Sequence, residues 1–185
     1  MSAQADAAAG ARGSDAVAPR IPLPTDRSQP KYGLPIDHAV ARFAAAVVRR
    51  DALDPTITEL VRLRCARVHD CRLCRSVRDV AATEVDEELA AKVDHHETSD
   101  LPERAKVALR LADAVILAPT TADARLREDA RRHFSESEIA EILLDVVKWS
   151  QQKASVALRI EVAPREGLSE LRFDGDGNAS VGAAI

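Results

Sequence analysis

The sequence predicts an all-α domain: a compact bundle of six to seven helices with an extended N-terminal arm. Three observations carry this expectation. Apolar residues recur at helical spacing in successive stretches, capping residues stand at the starts of those stretches, and no stretch reads as a convincing strand. Aromatic residues are only 3% of the chain while hydrophobic residues are 46%, so the core must be built from Ala, Leu, Val and Ile, which favours closely packed helices.

Residues 1 to about 20 are rich in Ala, Gly and Ser and read as a disordered tail. Pro22, Pro24, Pro30 and Pro35 then block regular helix and predict an extended arm up to residue 36, with Leu23, Tyr32 and Leu34 as anchors on the domain surface. A first helix is expected from Asp37, its candidate N-cap, to about Arg50, with Val40, Phe43, Ala44, Val47 and Val48 on one face. The second starts at Asp54-Pro55, a cap followed by proline at the first helical position, and buries Ile57, Leu60, Val61, Cys65 and Val68.

A third helix is expected from Cys71 to about Thr83, and a short one capped by Asp86 carries Leu89, Ala90 and Val93. After a polar loop at His95–Ser99, Ser99 or Asp100 caps a helix whose face is Ala105, Ala108, Leu109, Ala112, Val115 and Ile116 and which Ala118-Pro119 ends. Thr121 is expected to cap a helix reaching His133. Ser135 and Glu138 form a capping box for the longest helix, to about Ile160, with a stripe of Ile139, Ile142, Leu143, Val146, Trp149, Val156 and Ile160. That stripe exceeds what one neighbour needs, so part of it is expected at a subunit interface. Residues 163–185 read as a C-terminal tail with a small hairpin around Asp174-Gly175-Asp176-Gly177. Asp174, Asp176 and Asn178 have the alternate spacing of calcium ligands, but the bidentate Glu such a loop needs is missing, so a solvated turn is the reading.

The 185 residues fit one domain, and the net charge of −4 gives no general reason to expect a nucleic-acid partner. No run approaches the roughly 20 apolar residues that span a bilayer, and the N-terminus has no apolar segment of a secretory signal. A cytoplasmic location with no membrane partner is the expectation. In a reducing compartment stable structural disulfides are rare, so a Cys-x-x-Cys pair points to redox chemistry or metal binding.

Such a pair stands at Cys71 and Cys74, at an expected helix start with Arg72, Arg75 and Arg78 around it. Unpaired N–H groups at a helix start and nearby positive charge favour thiolate over thiol, and the two sulfurs can close without moving other elements. Other readings stand beside this one. The pair could be half of a zinc site completed by His95 and His96, although adjacent histidines are poor co-ligands. The cysteines could also be small buried apolar residues, which is the assignment made for Cys65, and Arg72 reads as part of a solvated helix face. Glu59, twelve positions before Cys71, lies off the apolar stripe of the second helix. If the second and third helices pack antiparallel, it approaches the cysteines, where a carboxylate can take a thiol proton; otherwise it is a solvated glutamate.

The stretch from Glu59 to Ala66 followed by Cys71-Arg72-Leu73-Cys74 resembles the alkylhydroperoxidase D-like/carboxymuconolactone decarboxylase family. Glu103-Arg104-Ala105, Leu109, Ala112-Asp113-Ala114 and His133–Ile139 are similar too, so the resemblance covers about residues 37 to 162. It implies a helical fold assembled into trimers, dimers or hexamers, and a proton relay of Glu, two Cys and His. Carried over, Cys74 is the thiol that attacks a hydroperoxide, Cys71 resolves it as a disulfide, and Glu59 is the relay carboxylate. A lipoyl-like or thioredoxin-like dithiol restores the thiols, and no cofactor or metal is implied.

One position departs from the pattern: Arg78 stands where the family carries the relay histidine. Arginine stays protonated, so it can hold a thiolate but cannot shuttle a proton. His69, in the turn before Cys71, could serve instead, or Arg78 could lower the thiol pKa enough that no base is needed. The expectation is thus a thiol-dependent peroxidase or thiol–disulfide oxidoreductase acting on a hydroperoxide or disulfide substrate. The alternative is a non-catalytic oligomeric module that senses redox state or binds a partner. Lactone decarboxylation ranks below both because that branch does not rest on a Cys-x-x-Cys pair.

Overall fold

The computed structural model describes residues 35–151, 153–157 and 166–185. The expected N-terminal tail and the arm as far as residue 34 lie outside the described residues, as do Ile160 and Pro164.

The body of the molecule is the helical bundle that the periodicity predicts. Helix α1 spans Ile36–Val48, α2 Pro55–Val68, α3 Arg72–Arg75, α4 Glu87–Ala91, α5 Glu103–Leu117, α6 Ala124–His133, α7 Glu136–Ser150 and α8 Lys153–Ala157. Helices α2, α5 and α7 pack on one another. Their shared core includes Leu60, Val61 and Leu63 from α2, Val107 and Leu109 from α5, and Ile142 and Val146 from α7. No helix among the described residues is long and apolar enough to cross a membrane.

Capping chemistry sets several boundaries as expected. Asp54 accepts from the Ile57 N–H at 3.0 Å with Pro55 in the first helical position, Asp86 accepts from Leu89, and Ser135 and Glu138 close a capping box. Three caps differ. Helix α1 begins before Asp37, which sits in its first turn. Helix α5 starts after Pro102 without a side-chain cap, because the Ser99 hydroxyl is turned back to the His96 carbonyl at 2.9 Å. Helix α6 is capped by Asp123, which accepts from Leu126 at 2.8 Å; Thr121 lies in a preceding 3-10 turn and donates to the Ala118 carbonyl. The long helix expected to reach Ile160 also stops early. Its last turn tightens as the Gln151 N–H closes on the Lys148 carbonyl, and α8 restarts at Lys153.

The larger correction follows the cysteines. The helix expected from Cys71 to Thr83 is a single turn, and the chain then extends as strand β1, Val77–Asp79. Strand β1 pairs in parallel with β2, Ser169–Phe173, which pairs antiparallel with β3, Ala179–Ala184. The Val80 N–H and the Ser76 carbonyl also bond to β2, at 3.0 and 2.9 Å. The partner that makes this strand is thus the C-terminal hairpin. At its tip, Gly177 has φ +82° and lies against the Ala45 backbone, and Arg49 donates to the Asp176 carbonyl. Asp174 accepts from the Asp176 and Asn178 backbone N–H groups, so it serves the turn.

Candidate functional site

The cysteine pair is mounted on a sharp reversal. Asp70, at φ +52°, takes the left-handed conformation that Asp tolerates better than most residues. The Cys71 N–H then bonds back to the Ala66 carbonyl at 3.0 Å. Cys71 caps α3, and its Sγ accepts from the Cys74 N–H at 3.2 Å. The two cysteines are joined as a disulfide with Cα atoms 5.3 Å apart. Cys71 is buried, 1% exposed, whereas Cys74 is half-buried, so Cys74 is the more accessible residue of the two. Cys65 lies in the core as expected, and burial pushes its thiol up to about 12.

Glu59 is neither solvated nor directed at a thiol. It is 1% exposed, and both carboxylate oxygens accept from Arg62, at 2.6 Å each. Arg62, 2% exposed, also donates to the carbonyls of Cys74 and Val77, at 2.7 Å each. The carboxylate therefore reaches the cysteine turn through a guanidinium. The sequence reading passed over Arg62; an Arg three residues after a Glu within an apolar helix was the available signal.

Arg78 stands on β1 and is 9% exposed. Its guanidinium donates to both oxygens of Glu87, at 2.7 and 2.8 Å, and to the carbonyls of Arg75 and Val77, at 2.9 Å each. His69 is the C-cap of α2 and lines a recess with Ile116, Leu117 and Lys153. Burial, helped by the positive charge of Lys153, holds it down to about 4, so the ring is neutral near pH 7 and weakly basic. His96 lies 3.7 Å from an Asp113 oxygen. Among the described residues no group of three or more His, Cys, Asp or Glu side chains could hold a metal ion, so His95 and His96 do not complete a site with the cysteines.

Behind Glu59 and Arg62 lies a cavity of about 380 Å³. Helix α7 contributes Glu141, Asp145, Lys148 and Trp149, the hairpin contributes Phe173, and Asp79 follows the cysteine turn. Glu141, Asp145 and Lys148 are each under 5% exposed. They recur at spacings of four and three along α7, a charged seam beside the buried Ile142 and Val146 that the sequence reading did not single out. The Lys148 ammonium lies 3.5 Å from the Trp149 ring centroid and 5.0 Å from that of Phe173. Burial raises the Asp145 carboxyl and lowers the Lys148 ammonium; each holds the other's charge in part.

No family model matches the chain. An uncharacterized protein of Mycobacterium tuberculosis, found in two strains, is 39% identical over 145 residues, which cover 76% of this chain and 51% of the relative. The chain thus spans about half the length of the curated relatives it matches. A crystal structure from Agrobacterium tumefaciens superposes with a TM-score of 0.62 at 23% identity, covering 74% of this chain and 95% of that one. That protein is described as one of unknown function and a candidate antioxidant defence protein, AhpD. The chain therefore has the alkylhydroperoxidase D-like fold that its motifs imply.

Proposed function

We propose that this protein is a thiol–disulfide oxidoreductase working through Cys71 and Cys74, with thiol-dependent peroxidase activity. The observation that carries the reading is the asymmetry of the pair: an accessible Cys74 bonded to a buried Cys71 that caps its turn. In the reduced protein the Cys74 thiolate attacks the terminal oxygen of a hydroperoxide. The O–O bond breaks, the alkoxide leaves as alcohol after taking a proton, and Cys74 becomes a sulfenic acid. Cys71 attacks that sulfur, water leaves, and the disulfide forms. An external dithiol supplies two electrons and two protons, attacking the Cys74 sulfur and expelling Cys71. The Cys74 N–H on the Cys71 sulfur stabilises the departing thiolate.

Within this reading Arg62 is a positioning residue that holds the Cys74 carbonyl and places a fixed positive charge behind the turn, while Glu59 holds Arg62. Arg78 pins the end of the turn through the Arg75 carbonyl. With His69 held low and Arg78 always charged, neither side chain takes the Cys74 proton in this reading. That same feature favours a second reading, in which the pair cycles slowly as a redox sensor in the cytoplasm. Leu143 and Val147, exposed on α7, would then join copies of the chain into the oligomer whose size reports the disulfide state.

The test is consumption of an alkyl hydroperoxide with dihydrolipoamide as reductant, in wild type, Cys74→Ser and Cys71→Ser. Turnover lost in both variants, with a sulfenic acid trapped on Cys74 in Cys71→Ser, supports the peroxidase. Consumption unchanged in Cys74→Ser removes it. No turnover in the wild type, together with a change in elution volume on oxidation, leaves the sensor.

A further inference from the structure

We propose that the cavity bounded by α7, the start of α2 and the C-terminal hairpin binds a small organic amine, as its ammonium ion, on Asp145. The first observation is an unmet acceptor. Asp145 lines the cavity, is 2% exposed, and its Oδ2 has no hydrogen-bond partner. Buried polar atoms are nearly always paired, and an unpaired one is costly enough to point to a missing partner.

The second observation is that most of the cavity's own cations have other partners, and Lys148, the one beside Asp145, balances its charge only in part. Arg62 is held by Glu59 and two carbonyls, Arg49 donates to the Asp176 carbonyl, and Arg50 reaches the Ser137 carbonyl and hydroxyl. The Lys148 ammonium sits over the Trp149 and Phe173 rings. Glu141 spends one oxygen on the Ala52 N–H at 2.9 Å. Asp79 and Asp145 are left with acceptor capacity facing the space, and burial raises the proton affinity of both. In both cases the cause is the loss of water around the carboxylate, and a ligand ammonium supplies a hydrogen-bond donor and a counter-charge in its place.

The shape agrees. A volume of about 380 Å³ stands at the small end of ligand pockets. The aromatic walls suit an alkyl chain, and the Trp149 indole N–H, also buried without a partner, offers a hydrogen bond to an oxygen further along the ligand. The larger groove near Arg110 has no such orphans: Arg110 is paired with Glu97 and Glu103, and Asp113 with Arg64.

Trp149 is the single tryptophan of the chain, so intrinsic fluorescence reads this cavity directly. The full chain is titrated with n-butylamine, 1-butanol and butyrate at constant ionic strength. The proposal expects a saturable change with the amine, at least tenfold weaker binding of the alcohol and the carboxylate, and at least tenfold loss of amine affinity in Asp145→Asn. Circular dichroism verifies the fold of that variant, and the three-probe comparison on the wild type stands without it. Equal response to amine and alcohol, no saturation with any probe, or amine affinity retained in folded Asp145→Asn would overturn the proposal.

Discussion

Arg62 lies one helical turn beyond Glu59 and grips both its carboxylate oxygens at 2.6 Å, with each side chain almost wholly removed from solvent. Breaking such a pair from one side leaves a buried charge without its counterion, which costs about 3–5 kcal/mol. Arg62→Met should therefore lower the unfolding free energy by that amount. Glu59→Leu/Arg62→Met, which removes both charges, should be clearly more stable than the sum of the two single losses implies. Urea titrations of the four proteins close the cycle. Additive losses would mean that the two residues act separately and would remove the coupling.

The three cysteines should react in a fixed order. After reduction, Cys74 is half-buried, Cys71 is buried, and Cys65 is both buried and pushed up to about 12. Since the thiolate is the nucleophile, iodoacetamide at pH 8 should label Cys74 first, Cys71 more slowly, and Cys65 only after denaturation. Without reduction no cysteine should be labelled in the folded chain. Peptide mapping by mass spectrometry gives the order, and rapid labelling of Cys65 in folded protein would contradict its place in the core.

Local chemistry made the caps at Asp54, Asp86 and Ser135 readable in the sequence, because cap and partner lie within one turn. The cysteine pair was readable from spacing. Strand β1 was not, since Val77 pairs with Ser169 about ninety residues later and nothing near Val77 announces that partner. The seam of Glu141, Asp145 and Lys148 was hidden for another reason. Charged residues on a helix default to solvent, and only the fold shows that the hairpin and the α1–α2 corner enclose this face. Glu59 fell between these cases: its distance from the cysteines was informative, but its contact is made through Arg62.

Two glycines at the hairpin separate strain from collision. Gly167 and Gly177 have φ values of +80° and +82°, but a Cβ at Gly167 meets nothing within 4 Å while one at Gly177 runs into the Ala45 backbone. Gly167→Ala should cost only the left-handed penalty, about 1 kcal/mol. Gly177→Ala should cost more, because it must also push the hairpin off α1, and amide exchange in β2 and β3 should quicken. Equal stability losses in the two variants would show that the hairpin tip does not bear on α1.

Two further groups give opposite slopes to the dependence of stability on pH. Burial holds His69 down to about 4 from its ordinary 6.5, so the unfolded chain takes the proton first. The stability this confers is present above about 6.5 and is lost as pH falls toward 4. Asp145 behaves in the reverse sense. Burial raises its carboxyl above the ordinary 3.8, so the folded chain keeps the proton longer, and the stability is present below that value and is lost as pH rises through the raised folded value. Relative to wild type, His69→Gln should gain stability as the pH drops from about 6.5 to 4. Asp145→Asn should gain as the pH climbs from about 4 toward neutrality. Melting temperatures of the three proteins at half-unit steps measure both trends. Curves that stay parallel across the range would show that neither group is displaced by the fold.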